Sequence, residues 1–292
     1  MTGDSRGPGI LYLVATPIGN RADMSDRARQ VLRDVDLIAC EDTRHSGALL
    51  RHLNIQKPLI SLHEHNETQR LPALLAHLAG GKHLAVVSDA GTPLLSDPGF
   101  PLVRAARGAG LQVVPIPGPS SLLAALVASG LPVDRFAFEG FLPPKATARR
   151  ERLGSLAAEE RTLVFFEAGQ RLAATLQDAR DAFGAERPAA VARELTKRYE
   201  EIHSAPLEEL ERWLAADDQR RRGEFVLLIQ GAPPPDPTAV PPAAQRVLAL
   251  LLEELPVKRA AALAARITGV AKNALYQTAL DQRGAQPPAE DP

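Results

Sequence analysis

The chain has one cysteine, Cys40, so no internal disulfide can form, and a thiol without a second cysteine is poor material for a structural zinc site. A reducing, cytoplasmic setting is expected. Long apolar runs are also lacking. Segments such as Ile10–Thr16 and Leu84–Val87 fall far short of the ~20 residues that cross a bilayer. The N-terminus carries no basic segment leading into a hydrophobic core, so neither export nor membrane insertion is expected. No G-x-G-x-x-G follows the first predicted strand and no P-loop lysine motif occurs. That argues against an ordinary dinucleotide site and against phosphoryl transfer from a nucleoside triphosphate. Excess charge of one sign is missing too: the formal net charge is −1. Such a molecule is no polyelectrolyte binder, and any nucleic-acid site must be local.

What is present is an ordinary globular composition, 45% apolar and 24% charged over 292 residues, enough for two compact domains. Short β-branched runs alternate with amphipathic stretches through the first 130 or so residues. Strands are predicted at Leu11–Ala15, Asp36–Cys40, Leu59–Leu62, Leu84–Ser88 and Val113–Ile116, with helices at Ser25–Asp34 (Ser25 as N-cap), Ser46–Leu53, Glu67–Ala79, Gly99–Gly110 and Ser120–Gly130. This βαβ series predicts a mainly parallel sheet with helices on its faces over residues 8–131.

From Pro132 the texture changes. A loop containing Gly140, Pro143 and Pro144 leads to a helix at Ala146–Ala157, then strand Thr162–Phe166, helix Gln170–Phe183, strand Ala189–Glu194, an extended segment Glu200–His203, helix Leu207–Ala215 and strand Glu224–Gln230. A second α/β domain with a mixed sheet is expected over 132–232. Six prolines between Ala232 and Pro242, among them Pro235 and Pro237, predict a helix-free linker over 233–242. A small helical extension over 243–283 follows, with helices at Ala243–Glu254, Lys258–Arg266 and Lys272–Asp281. Met1–Gly7 and Gly284–Pro292 are expected to lack order.

Ligands of a parallel α/β sheet bind beyond the carboxyl ends of its strands. The loops there read Thr16-Pro17-Ile18-Gly19-Asn20, Glu41-Asp42-Thr43-Arg44, His63-Glu64-His65-Asn66, Ser88-Asp89-Ala90-Gly91-Thr92-Pro93 and Pro117-Gly118-Pro119-Ser120-Ser121. The fourth continues through Leu94-Leu95-Ser96-Asp97-Pro98-Gly99. Its glycines permit close backbone approach, its prolines fix the path, and its carboxylates can accept from hydroxyl or ammonium groups. His63, Glu64, His65, Glu41 and Asp42 are as readily turn and capping residues as metal ligands, and no metal is expected. Arg193-Glu194-Leu195-Thr196-Lys197 concentrates charge after a strand in the second domain. Basic clusters at Lys145, Arg149, Arg150 and Arg152, at Arg220–Arg222, and along Lys258, Arg259, Arg266 and Lys272 are ordinary solvated surface unless a partner is shown.

The runs LYLVATPIGN, CEDTRHSG, HEHNE, VSDAGTPLLSDPG, PIPGPSS, FEGFLPPK, RTLVFFEA, ARELTKRYEEIH and GEFVLLIQG resemble, in fixed order, the RsmI type of ribosomal RNA cytidine 2′-O-methyltransferase, a branch of the tetrapyrrole methylase superfamily. The likeness spans Ile10 to Gly231, and ELPVKRAAALAARITGVAKNALY is similar to the helical extension of those proteins. The resemblance implies two α/β domains with a cleft between them that holds folded S-adenosylmethionine. It implies cofactor contacts from Pro17, Ser88, Asp89, Ala90, Gly91, Pro93, Leu94, Ser120 and Ser121, with Phe166, Glu167, Ala192, Arg193 and Glu194 closing from the second domain. It also implies a homodimer acting on a cytidine in the decoding region of 16S rRNA in the assembled small subunit. Glu41, Asp42, His65, Glu194 and Lys197 are candidates for handling the ribose proton, with Asp42, His65 and Lys197 favoured as catalytic. Arg44, Lys145, Arg149 and Arg150 are candidates for the RNA. A tetrapyrrole methyltransferase and a non-catalytic assembly factor remain alternatives.

Overall fold

The structure, a computed structural model, describes residues 7–234 and 240–284. The readings for residues 1–6, for Pro235 and Pro237, and for 285–292 fall outside the described residues; Gly284, expected in the tail, is the last residue of a helix. Residues through Ala232 form one compact unit and those from Pro233 a second.

The first unit holds two five-stranded sheets. Strands β1 (Leu11–Val14), β2 (Leu37–Cys40), β3 (Leu59–Ser61), β4 (Leu84–Val87) and β5 (Val113–Ile116) pair in the order β3-β2-β4-β1-β5. Every pairing is parallel. Helices α1 (Asp26–Asp34), α2 (Thr43–His52), α3 (Glu67–Ala79) and α4 (Phe100–Gly108) connect them. The chain steps one way from β1 to β3 and back from β3 to β5, so right-handed crossovers place α1 and α2 on one face and α3 and α4 on the other. The cores agree. Val14, Ile38, Cys40, Ala85 and Val87 pack with Ala28, Leu32 and Leu50, while the alternate residues Leu11, Ala39, Leu84 and Val86 pack with Leu74, Leu78, Leu102 and Ala106. Helix α1 starts where expected: the Ser25 hydroxyl accepts from Ala28 N at 3.1 Å. Helix α2 starts three residues before the expected Ser46, because Asp42 caps it by accepting from Arg44 N.

The second sheet has the order β6-β7-β10-β8-β9, built from β6 (Phe136–Phe141), β7 (Thr162–Ala168), β8 (Pro188–Arg193), β9 (Glu201–Pro206) and β10 (Glu224–Ile229). It is mixed: β6 runs parallel to β7 and the other neighbours are antiparallel. Strand β6 occupies what the sequence reads as loop. One face carries α6 (Ala146–Ser155), α7 (Gly169–Phe183) and α8 (Leu207–Ala215), packed through Leu153, Leu172, Leu176 and Leu210 on Phe165, Val191 and Leu227. The opposite face receives α5 (Ser121–Ala128), whose Leu122, Ala125 and Leu126 cluster with Val164, Ala190 and Val226. Helix α5 follows the last strand of the first sheet yet packs on the second, which ties the two sheets along one seam. Ile18 of the first loop joins the same cluster.

The second unit comprises α9 (Pro242–Glu254), α10 (Val257–Thr268) and α11 (Lys272–Gly284) around Ala244, Leu248, Ala260, Ala264, Leu275 and Ala279. Pro256 stops α9 and precedes α10. Gly269 ends α10 in the left-handed conformation, φ 74°.

Candidate functional site

The loops at the carboxyl edge of the parallel sheet are stitched together by their own backbone. Thr16 and Gly91 exchange two backbone hydrogen bonds of 2.9 and 3.1 Å, and the Thr16 hydroxyl donates to Ser88 O at 3.1 Å. The Thr92 hydroxyl donates to Pro119 O at 3.1 Å, joining the fourth loop to the fifth. Gly91 has φ 84° and a Cβ there would lie 3.2 Å from Ile18 Cγ2, so a left-handed turn and a close neighbour both call for glycine. Leu94 and Ser96 also have positive φ, 74° and 70°. Non-glycine residues in that region mark backbone held against its preference, which is common where loops form a binding wall.

Between this edge and the second sheet lies a cavity of about 410 Å³, a size that suits a nucleoside-like ligand. Asp89, Ala90, Gly91, Ser120 and Ser121 line it from the first side; Phe166, Glu167 and Ala192 line it from the second. These eight were all expected at a cofactor site. Pro17, Ser88, Pro93, Leu94, Arg193 and Glu194 do not line it; they shape the loops that do. Glu167 offers the cavity no free carboxylate. Its side chain is fully buried against Arg171 at 3.1 Å and accepts from the Thr175 hydroxyl at 2.7 Å.

Several lining residues carry no polar signature in the sequence. Phe141 and Phe138 pack edge to face on Phe166, with centroids 5.6 and 4.8 Å away, and Leu95, Leu195 and Phe225 complete an apolar wall. Asp97 lines the cavity as well. Burial, then the charges of Glu41 and Asp89, push its carboxyl up to about 6. Glu41 is likewise raised, by burial and then by Asp89 and Glu64.

Asp42, His65 and Lys197 stand outside the lining. Asp42 accepts from Arg44 N at 2.8 Å and from its guanidinium at 2.9 Å, contacts that hold its carboxyl down to about 2. Its backbone N–H donates to Asp89, 3.3 Å away. Lys197 donates to Glu194 at 2.9 Å and Glu224 at 2.7 Å. Partial burial pulls this ammonium down, but the two carboxylates outweigh it and raise it above the usual lysine value. Asp42 and Lys197 are therefore tuned away from proton acceptance at neutral pH. His65 is exposed and meets His63 edge to face at 6.0 Å. Among the described residues no three His, Cys, Asp or Glu side chains gather as a metal-ligand set.

The expected RNA-facing group needs one correction. Arg149 is only 5% exposed; its Nε donates to Asp178 at 2.7 Å, so it is a buried structural ion rather than a surface contact. Arg150 shares the same carboxylate at 2.8 Å while its side chain stays 68% exposed. Lys145 and Arg44 are exposed.

Comparison with known proteins bears on what this cavity serves. Residues 10–211 match the family model described as Tetrapyrrole (Corrin/Porphyrin) Methylases, and residues 238–283 match one described as the RsmI C-terminal HTH domain. The chain belongs to the RsmI branch of the tetrapyrrole methylase family. Similar relatives are named Ribosomal RNA small subunit methyltransferase I. The one from Pseudomonas aeruginosa is 55% identical across 94% of this chain and 98% of its own length. That from Escherichia coli O157:H7 is 54% identical across 94% and 96%. Two solved structures share the methylase fold: uroporphyrin-III-C-methyltransferase from Thermus thermophilus (22% identity, TM-score 0.54, 76% of this chain and 94% of that one) and the cobalt precorrin-4 methyltransferase CbiF (15%, 0.53, 76% and 94%). The cavity wall draws on the first, fourth and fifth of these loops and on the second sheet with its own loops, so no single glycine-rich turn carries it. Among the described residues, no helix is long and apolar enough to cross a membrane.

Proposed function

We propose that the chain methylates the ribose 2′-oxygen of a cytidine in the decoding region of 16S rRNA, using S-adenosylmethionine and acting on the assembled small subunit in the cytoplasm as a homodimer. The observation that carries this reading is the cavity between the two sheets, in a chain whose relatives over nearly full length bear an rRNA small-subunit methyltransferase name. Its wall suits a cationic nucleoside. Phe141 and Phe166 offer aromatic surface for an adenine, Asp89 and Asp97 offer carboxylates to a positive centre, and Gly91 lets backbone approach.

S-adenosylmethionine supplies a methyl group already activated on a sulfonium. The protein's task is then to orient the ribose hydroxyl and take its proton. Asp97 is the group best tuned for that: it lines the cavity, and a value of about 6 leaves it ionised yet moderately basic at neutral pH. Lys197 stays protonated and acts as a cation toward the developing negative charge at the ribose oxygen or a flanking phosphate. Arg44, exposed beside Asp42, faces RNA with Lys145 and Arg150.

The decisive experiment incubates the protein with methyl-labelled S-adenosylmethionine and small subunits from cells lacking this modification, then digests the RNA to nucleosides. Label in 2′-O-methylcytidine is the expected result. Label on a uroporphyrinogen or precorrin, with none on the RNA, would move the chain to the macrocycle branch of its family. No transfer to either would support the assembly-factor reading.

A further inference from the structure

Several arginines in the first unit are committed. Arg149 and Arg150 share Asp178, Arg161 is held by Glu159 and Arg180 by Glu211. Arg193 ends β8, and its guanidinium is spent on backbone: Nε donates to Arg222 O and Nη2 to Gln219 O, both at 2.8 Å. Five residues on, Arg198 is not held in this way among the described residues, and neither are Arg27, Arg70 and Arg135; what sets it apart is its aromatic neighbour. Among the described residues it has no ion-pair partner, although Glu200 and Glu201 follow closely in sequence. Its guanidinium sits instead 5.6 Å from the ring centroid of Tyr199. Tyr199 is 63% exposed, unusual for a ring that could bury itself.

The loop bearing this pair is not loose. Lys197 N donates to Glu194 O and Glu200 N to Lys197 O, while Glu200 accepts from Thr196 N at 2.5 Å. Glu194 and Thr196 are held left-handed at φ 49° and 65°. The same loop sends Leu195 into the cavity wall. A fixed loop thus lines the proposed methylation cleft at one point and, four residues later, presents an aromatic face with an unpaired cation beside it.

A flat ring and a free guanidinium are the two groups that hold unpaired nucleotides, by stacking on the base and by pairing with phosphate. We propose that Tyr199 and Arg198 form a platform on which an unpaired base of the RNA substrate stacks as its ribose enters the cleft. The proposal deepens the methylation reading and rests on it for the identity of the RNA. It explains how a chain of net charge −1 can engage RNA: an unpaired nucleotide is held locally, by stacking on a ring and by a cation at its phosphate, so no overall basic excess is needed.

The test measures binding of a short single-stranded RNA carrying 2-aminopurine, and of unmodified small subunits, to the full chain and to Tyr199→Ala, Tyr199→Trp and Arg198→Ala. Methyl transfer and binding of S-adenosylmethionine are followed in parallel. Tyr199→Ala should weaken RNA binding by about 10-fold or more, raise KM for subunits, abolish the 2-aminopurine quench and leave donor affinity unchanged. Tyr199→Trp should restore binding, and Arg198→Ala should weaken it with a shallower salt dependence. Unchanged RNA affinity and KM in Tyr199→Ala, or an oligomer that dissociates in that variant while RNA binding persists, would overturn the platform. If the quench depends on Tyr199 but no methyl is transferred, the platform stands and the methylation reading falls.

Discussion

Gly19 and Lys197 lie on loops that follow strands of different sheets, yet a Cβ on Gly19 would sit 2.4 Å from Lys197 Cγ. Beside them Asn20 N donates to the Thr196 hydroxyl at 3.0 Å. The loop after β1 and the loop after β8 are thus in mutual contact, and both border the cavity through Ile18 and Leu195.

Gly19→Ala should force these loops apart, since Leu195 O also lies 3.1 Å from the added atom. A drop of several degrees in Tm and a loss of S-adenosylmethionine affinity are expected. Thermal melts and calorimetry on the pair of proteins check this; wild-type affinity in the variant would refute it.

Asp97 should give the reaction an acid limb. With its carboxyl held up to about 6, kcat should rise with pH through that value, and Asp97→Asn should lose both the limb and most of the rate. Stability moves the other way. The raised value means that the fold favours the protonated carboxyl, so stability falls as pH climbs from about 4 to about 6 and is level above. Partial exposure screens the effect. Asp97→Asn should therefore melt higher than the parent at pH 8, by about 2–4 °C, and the two should converge near pH 4.

Lys197→Met separates the cation from the base. With its ammonium raised by Glu224 and Glu194, the lysine is no proton acceptor at neutral pH. The variant should transfer methyl more slowly while keeping the acid limb at its original position. Disappearance of that limb in the pH–rate profile would make Lys197 the acceptor instead.

Asp178 holds two guanidiniums, and its side chain is 4% exposed. Asp178→Ala should cost about 3–5 kcal/mol in urea unfolding, because it strands the buried Arg149 charge. Burial acts to raise this carboxyl, but hydrogen bonds from Arg150 and Arg149 prevail and leave it lowered. Its contribution is present above the unfolded value near 4 and is lost as pH falls through the folded one.

The parallel half was legible because Leu, Ile, Val and Ala fill both faces of its short strands and polar loops punctuate them at one edge. Strand β6 was hidden by its own irregularity. Its register slips between Phe138 and Gly140, and Gly140 at φ 66° breaks the alternation that reveals a strand. The start of α2 was obscured because its first turn, Thr43-Arg44-His45, is polar and Asp42 reads as a loop residue. At the site, loop residues such as Asp89 and Ser120 announced themselves by position after a strand. Phe141, Leu95 and Phe225 did not, since an apolar cavity wall has the composition of a core. Arg149 misled for the converse reason: a charge in a basic run looks like surface until its partner, Asp178, is brought to it by folding.

Four of the five non-glycine residues with positive φ among the described ones, Leu94, Ser96, Glu194 and Thr196, sit on the two loops that wall the cavity. Each conformation costs on the order of 1 kcal/mol, which the surrounding hydrogen bonds offset once, during folding. The mould is therefore cast before any guest arrives. A guest has little backbone freedom left to freeze, so residence time, more than the speed of capture, should set how tightly it is held.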